Sequence, residues 1–565
     1  MLKARMLRRS NELGLRPRAA IPLLLIALAL TGCQSAPPAD PNAEDQPSAA
    51  AAADLRRAFL AGGGAAEPLR RLADLELQAL RLAEDEPLRL GAIGTAILDI
   101  CAGSLTGHYA LRRFYEHLES RDAADSHAAW MQAIEADMIG NAKGTADDPY
   151  AALTSVEAEI LLLARSLSPV GSIYQSNEPD SFSMLIVGRP AEGPLEQFHF
   201  NLDALYRATI DYLSGRTTVP ASPPELPPQM LIGMLARRGD TSAQAAVGAM
   251  LMAGEQDGDA IGWLRTASRT GNVFANLMLA RIFWNRSLQA ETDDERREAL
   301  DQVMENYLHA IALGSTDAMY ALGSLYLTGA FGEDNEASGV TLLEQAGDLG
   351  HSEALLYLAH LHYTGDGVER DTERAGAYFI RSAALRNSAA RLGYARYLMR
   401  EGDGARRDAR AVQWLEELAD ENGDAQAMLM LGNLHARGIA ARQNFRTAHR
   451  WYRDAARTAP NDADIVNEVA WTLTVSDLAR LRKARYALKI MTRMMEADEQ
   501  ARTSPEFLDT WAATFAANGN FDEAVRLQQL ALKEATGADR QDVLDILREH
   551  LDLFMAGKPV IEAAP

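Results

Sequence analysis

Cysteine is nearly missing from this sequence, with only Cys33 and Cys101 in 565 residues. No framework of disulfides can therefore hold the fold, and no cysteine-rich metal site can form. The apolar setting of Cys101, "AILDICAGSL", reads as a buried core thiol. Positive charge is also short, 56 lysines and arginines against 78 acids, for a formal net charge of −22. So acidic a chain repels nucleic acid, which is excluded as a partner, and repels anionic membrane surfaces. Long hydrophobic runs are lacking as well. The apolar stretch "AAIPLLLIALAL" (19–30) would make a helix of about 18 Å, against a hydrocarbon core of roughly 30 Å.

Catalytic signatures are absent too. There is no His-Glu-x-x-His and no Gly-x-Ser-x-Gly. "GNAKGT" (140–145) fails as a phosphate loop because Gly144 stands where Ser or Thr must follow Lys143. His360 and His362 are two apart on an expected helix, so their rings diverge by about 200° and share no metal. One should face outward and the other pack. Acidic loops such as "GEDNEAS" (332–338) lack calcium-loop spacing. No metal, cofactor or catalytic residue is expected. Paired carboxylates for glycan hydrolysis have no fixed spacing, which leaves residues 54–216 open to an envelope enzyme or a glycan-binding domain.

What is present begins with a basic start (Lys3, Arg5, Arg8, Arg9, Arg16 and Arg18), followed by the short apolar run, the pattern of a signal peptide over 1–32. Leu30–Cys33, "LTGC", resembles the lipobox of bacterial lipoproteins. That resemblance implies cleavage before Cys33, acylation of Cys33, and stable anchoring, since several chains hold where one binds reversibly. Gln34 and Ser35, with no aspartate beside Cys33, imply sorting to the outer membrane, facing the periplasm. Loss of 1–32 would take the formal charge to about −27.

Residues 33–53, rich in Pro, Ala and acid, read as the lipidated cysteine and a disordered tether. Its twenty residues after Cys33 reach at most about 66 Å. A second break, "TTVPASPPELPPQ" (217–229), has five prolines between Pro220 and Pro228 and separates domains. Between the two, 54–216 is mostly helical by its three- and four-residue apolar steps. Two β-prone runs within 181–202 flank a Gly/Pro turn and predict a small hairpin.

From residue 243 one skeleton recurs: alanine, then large at +4, small at +5, large at +7 and +8, and often Gly at +11. Copies start at Ala243, Ala275, Ala318, Ala354, Ala390 and Ala427. Offsets 0, +4, +7 and +8 fall within roughly 100° of one helix face. The small residue lets a partner helix approach, and the glycine stops the helix. A second apolar skeleton follows each copy, as in Tyr378-Phe379 with Ser382-Ala383. Each unit is thus an antiparallel helix pair that must stack on neighbours to hide its apolar stripe, which predicts an all-α solenoid.

The pattern resembles the Sel1-like repeat, a relative of the tetratricopeptide repeat. The copy at Ala354 carries it best, with Gly365, Gly367, Val368, Asp371, Ala375, Tyr378, Phe379 and Ala383. The first two copies depart: one loop is short, and the insertion "ETDDERREAL" (291–300) is expected to lengthen the other. Repeats of this kind are expected over 230–460. Residues 461–557 resemble tetratricopeptide repeats, through Trp511, Ala512, Phe515, Gly519, Phe521, Ala524 and Ala531, before a capping helix.

Opposite the apolar stripe, position +6 holds Arg281, His360 and Arg396, and +9 holds Trp284, Leu327, Tyr363 and Met399. Aromatic and Arg anchors suit a protein-binding groove. The competing reading packs this row against neighbouring repeats. The expected function is a lipid-anchored envelope scaffold that binds protein partners through this face, with glycan the other partner considered.

Overall fold

The computed structural model describes residues 47–61, 66–83, 86–176, 181–213, 227–332, 335–401, 408–537 and 540–562. Cys33, the signal segment, most of the tether and residues 217–226 lie outside them. The helix α1 (Ala49–Ala61) begins inside the stretch that composition assigned to the tether. Its alanine run has the highest helix propensity, and Arg56 one turn later is buried and gives the helix an anchor. Four further helices follow: α2 (Ala66–Leu82), α3 (Leu90–Ile100), α4 (Leu105–His117) and α5 (Arg121–Ile139). Cys101, just past α3, is buried as expected.

The chain then passes through β1 (Tyr150–Ala151), α6 (Ser155–Ala164), β2 (Ser168–Gln175), β3 (Ser183–Arg189), β4 (Glu196–Asn201) and α7 (Asp203–Leu213). The sheet order is β1-β4-β3-β2, with β1 parallel to β4 and the other pairs antiparallel. The expected hairpin is β3–β4, registered Met184 to Phe200 and Ile186 to Phe198. Strand β2 was not legible in "SPVGSIYQ", because its pairing partner and its packing are both non-local.

Helix α8 (Pro228–Arg237) starts on a proline, whose missing N–H costs nothing in a first turn. Six helix pairs then follow the six skeleton copies. They are α9 (Thr241–Ala253) with α10 (Asp257–Arg269), α11 (Val273–Gln289) with α12 (Asp293–Ala312), and α13 (Thr316–Leu327) with α14 (Glu336–Asp348). Next come α15 (Ser352–Thr364) with α16 (Thr372–Ala384), α17 (Ser388–Arg400) with α18 (Arg410–Asn422), and α19 (Ala425–Arg437) with α20 (Phe445–Thr458). The tail adds α21 (Ala463–Val475) with α22 (Ala484–Ala497), α23 (Pro505–Ala517) with α24 (Phe521–Gly537), and the terminal α25 (Gln541–Met555).

In the second copy the insertion lengthens a helix rather than a loop. Thr292 and Glu295 form a capping box, and acids fill the first turn of α12, so "TDDE" starts a helix where it stands. In every copy the residue three before the defining alanine caps the first helix. Asp240, Asn272, Ser315, His351, Asn387 and Asp424 each accept the N–H of that alanine. At +5 the close approach is real: a Cβ on Gly432 would lie 2.6 Å from the ring of Tyr452.

The sheet docks on the amino ends of these helices. The side-chain amide of Asn272 donates to the Ser172 carbonyl (2.7 Å), and Tyr174 Oη–H donates to Asp240 (3.0 Å). Gly171 lets β2 reach α11, since a Cβ there would lie 2.9 Å from the Val273 backbone nitrogen. At the far end, the chain after α25 returns to α21, where the N–H of Glu562 donates to Val475 and the N–H of Asp477 to Glu562.

Candidate functional site

The predicted row runs along the solvent side of α11, α13, α15 and α17. Arg281, His360 and Arg396 are exposed. Trp284, Leu327, Tyr363 and Met399 are half-buried; Trp284, Leu327 and Met399 rest one side on the repeat core, and Tyr363 rests against Tyr397. The row therefore combines the two competing readings: its apolar members are anchored by packing and still reach water. A ring ladder crosses the fourth and fifth copies. Tyr363 meets Tyr397 edge-on (6.3 Å between centroids), Tyr397 stacks on Tyr394 (5.9 Å), and His360 meets Phe379 edge-on (5.4 Å). Tyr397 was missed because +7 counts as a core position, yet the residue is only partly buried.

At the other end, Met252, Met278, Arg281 and Arg286 line an open cavity of about 980 Å³ together with Glu255, Asp257 and Asp259. The sixth copy closes the row. Tyr452 Oη–H donates to Asn433 (2.7 Å), and Ala436 is buried. His360 and His362 divide as their spacing requires: His362 is buried and stacks on Tyr378 (5.6 Å). Partial desolvation beside Phe379 holds the His360 imidazole below its ordinary pKa.

The second helices use their charges differently. Arg374 pairs with Glu344 (2.5 Å) and Arg381 with Asp348 (2.8 Å), both bridging to the preceding repeat, whereas first-helix Arg391 pairs with Glu417 (3.1 Å) within its own repeat.

In the N-terminal region two carboxylates are fully buried, Glu76 and Glu157. Arg56 donates to both oxygens of Glu157 (2.5 and 3.2 Å), which also accept the N–H groups of Leu105 and Leu153. Glu76 accepts from the hydroxyls of Ser104 (2.9 Å) and Thr154. Burial, with the charge of Glu157 adding, pushes Glu76 up to about 8. These carboxylates hold α1, α2, α4 and α6 together. A second pair lies nearby. His108 Nε2–H donates to the Ala102 carbonyl, so its Nδ1 accepts from His127 Nδ1–H at 2.9 Å. Burial, with His127 adding, pulls His108 down to about 4, a neutral ring stacked on Trp130.

Among the described residues no cluster of three His, Cys, Asp or Glu could hold a metal ion, and no helix is long and apolar enough to cross a membrane.

Residues 316–351, 352–387, 386–423 and 425–457 match the family model of the Sel1 repeat. These four matches are the third to sixth skeleton copies; the first two form helix pairs without matching. No curated protein matches the chain. Among solved structures, a Sel1 repeat protein from Oxalobacter formigenes is similar at 18% identity, over 52% of this chain and 92% of that one, with a TM-score of 0.37. The protective antigen c5321 of uropathogenic Escherichia coli, described as an SLR fold, is similar at 15% identity, over 88% of this chain and 97% of that one (TM-score 0.41). The tetratricopeptide domain of P58(IPK) is similar at 12% identity, over 58% and 92% (TM-score 0.19). None reaches a TM-score of 0.5, and the family match stands without them.

Proposed function

We propose that this chain, a solenoid bearing Sel1 repeats, is a lipid-anchored scaffold of the cell envelope that holds a protein partner on the exposed face of its first helices. Repeats of this class generally serve as adaptors between proteins. The observation that carries the reading is the half-buried row Trp284, Leu327, Tyr363 and Met399 beside exposed Arg281, His360 and Arg396. Large apolar side chains fixed on one side by packing lose little entropy when a partner covers the other side, and the exposed arginines add donors beside them. The lipobox resemblance at Leu30–Cys33 supports the anchor and an outer-membrane position facing the periplasm. Glycan hydrolysis in 54–216 gains no support from Glu76 and Glu157, whose oxygens are all engaged by protein groups.

The test uses the full-length lipidated protein with Trp284, Tyr363 and Arg396 replaced together by Ala. The expected result is loss of the co-purifying partner by at least about tenfold, with an unchanged helical circular dichroism spectrum. Retention of the partner, or unfolding of the variant, would overturn the reading.

A further inference from the structure

The six first helices and the six second helices of the repeats differ sharply in charge. The first helices carry two acids in all, Asp317 and Glu353, both in a first turn. The same helices carry six arginines: Arg281, Arg286, Arg391, Arg396, Arg400 and Arg437. The second helices carry seventeen acids. A chain with a formal charge of −22 has thus kept the first helices themselves almost free of carboxylates, although Glu373 and Glu401 lie close enough to act on Tyr397.

The use of the arginines separates the faces further. On the second helices Arg374 and Arg381 are spent on inter-repeat ion pairs. Of the first-helix arginines, Arg391 is buried and paired with Glu417. Arg281 and Arg396 are exposed, and neither takes part in an ion pair among the described residues. An acidic protein offers many carboxylates to pair with, so exposed arginines left without one stabilise the free fold little and remain available.

Each also lies beside an apolar side chain. Offsets +6 and +9 stand about 60° apart on one helix and about 4.5 Å along its axis. Arg281 with Trp284, His360 with Tyr363 and Arg396 with Met399 therefore form two parallel tracks across the second, fourth and fifth copies, one cationic or polar and one apolar. At the first copy Glu255, Asp257 and Asp259 line the cavity that Arg281 and Arg286 share, so the cationic or polar track is strongest at Arg396 and His360. A bare polyanion would satisfy the first track and leave Trp284, Leu327 and Met399 uncovered.

Resting on the protein-binding reading above, we infer that the partner segment is acidic and amphipathic, with carboxylates on one side over Arg281 and Arg396 and large apolar side chains on the other over Trp284, Leu327, Tyr363 and Met399. Charge complementarity then selects the partner and speeds its arrival, while the apolar track holds it.

The experiment pans the full-length protein against a displayed library of random 16-residue peptides, with an Arg281→Glu/Arg396→Glu variant and a Trp284→Ala/Tyr363→Ala variant in parallel. The expected winners are net acidic, contain large apolar residues, and are released by about 0.5 M salt, where screening reaches within a few ångströms. On the charge-reversed variant they bind about tenfold or more weakly. Neutral or basic winners that still need Trp284 and Tyr363 would overturn the inference while leaving the docking face in place. Equal winners on wild type and the Trp284→Ala/Tyr363→Ala variant would remove both. Displacement of the winners by a short polyuronate, with tighter binding of that sugar, would assign the face to an acidic glycan and overturn the inference.

Discussion

Glu76 shows how a residue can be electrostatically conspicuous and yet structural. Its carboxyl is buried against Glu157 and held protonated up to a pH of about 8, so the folded state binds a proton that the unfolded chain releases near its ordinary value. Between those two pH values the folded state binds more protons, and its stability falls as pH rises. Replacing Glu76 by Gln keeps an acceptor for Ser104 and removes the titration. The variant should melt several degrees higher than wild type at pH 8.5 and equal to it or slightly lower near pH 5, as read by thermal denaturation. A lower melting point at both pH values would show that the ionised form is the stabilising one. Spacing in the sequence gave no hint of this pair, because Glu76 and Glu157 are eighty-one positions apart and meet only through four packed helices. Cys101 was legible because its neighbours alone decided its burial.

At the scale of the element, the apolar skeleton predicted the helix pairs, because a helix stripe is a local property and recurs with the repeat. The caps went unread: Asp, Asn, Ser or His stands three before each defining alanine, a regularity hidden by its chemical variety. The residues behind helix contact and helix interior separate cleanly. Gly432 is pressed by the ring of buried Tyr452, which is fixed by its bond to Asn433. Gly262, in the middle of α10, has nothing within 4 Å of its missing Cβ. Gly432→Val should therefore cost about 1–3 kcal/mol by overpacking. Gly262→Ala should gain about 0.5–1 kcal/mol by stiffening the unfolded chain. Urea unfolding of the two variants checks both, and equal effects would mean that the +5 position does not set the helix spacing. The insertion in the second copy was misplaced for a related reason: its capping box is a helix start, and length alone suggested a loop.

For the whole molecule, the contact that matters is the one between β2 and the amino ends of α9 and α11. Nothing in the sequence marks it, since it joins two regions separated by the proline-rich segment through side chains that cap helices in any case. Gly171 is its tightest point. Gly171→Val should drive β2 away from Val273, because beside the Val273 side chain the obstructing atoms include the Val273 backbone nitrogen, which cannot step aside. Hydrogen exchange should then rise in β2 and in the first turns of α9 and α11, while α15 to α20 stay protected, as expected of a stack in which each unit contacts only its neighbours. Uniform loss of protection along the chain would mean that the sheet supports every repeat rather than the first two.

The ion pairs that link one second helix to the next have a mechanical consequence. They join long, solvent-bathed side chains and yield with little penalty, whereas first helices meet second helices through rings pressed on glycine, Phe379 on Gly393 and Tyr452 on Gly432, which do not yield. The stack is therefore softer on one side than on the other. When pulled or twisted it will flex by spreading its second helices, and the face carrying Trp284 and Tyr363 will keep its spacing while the opposite side breathes.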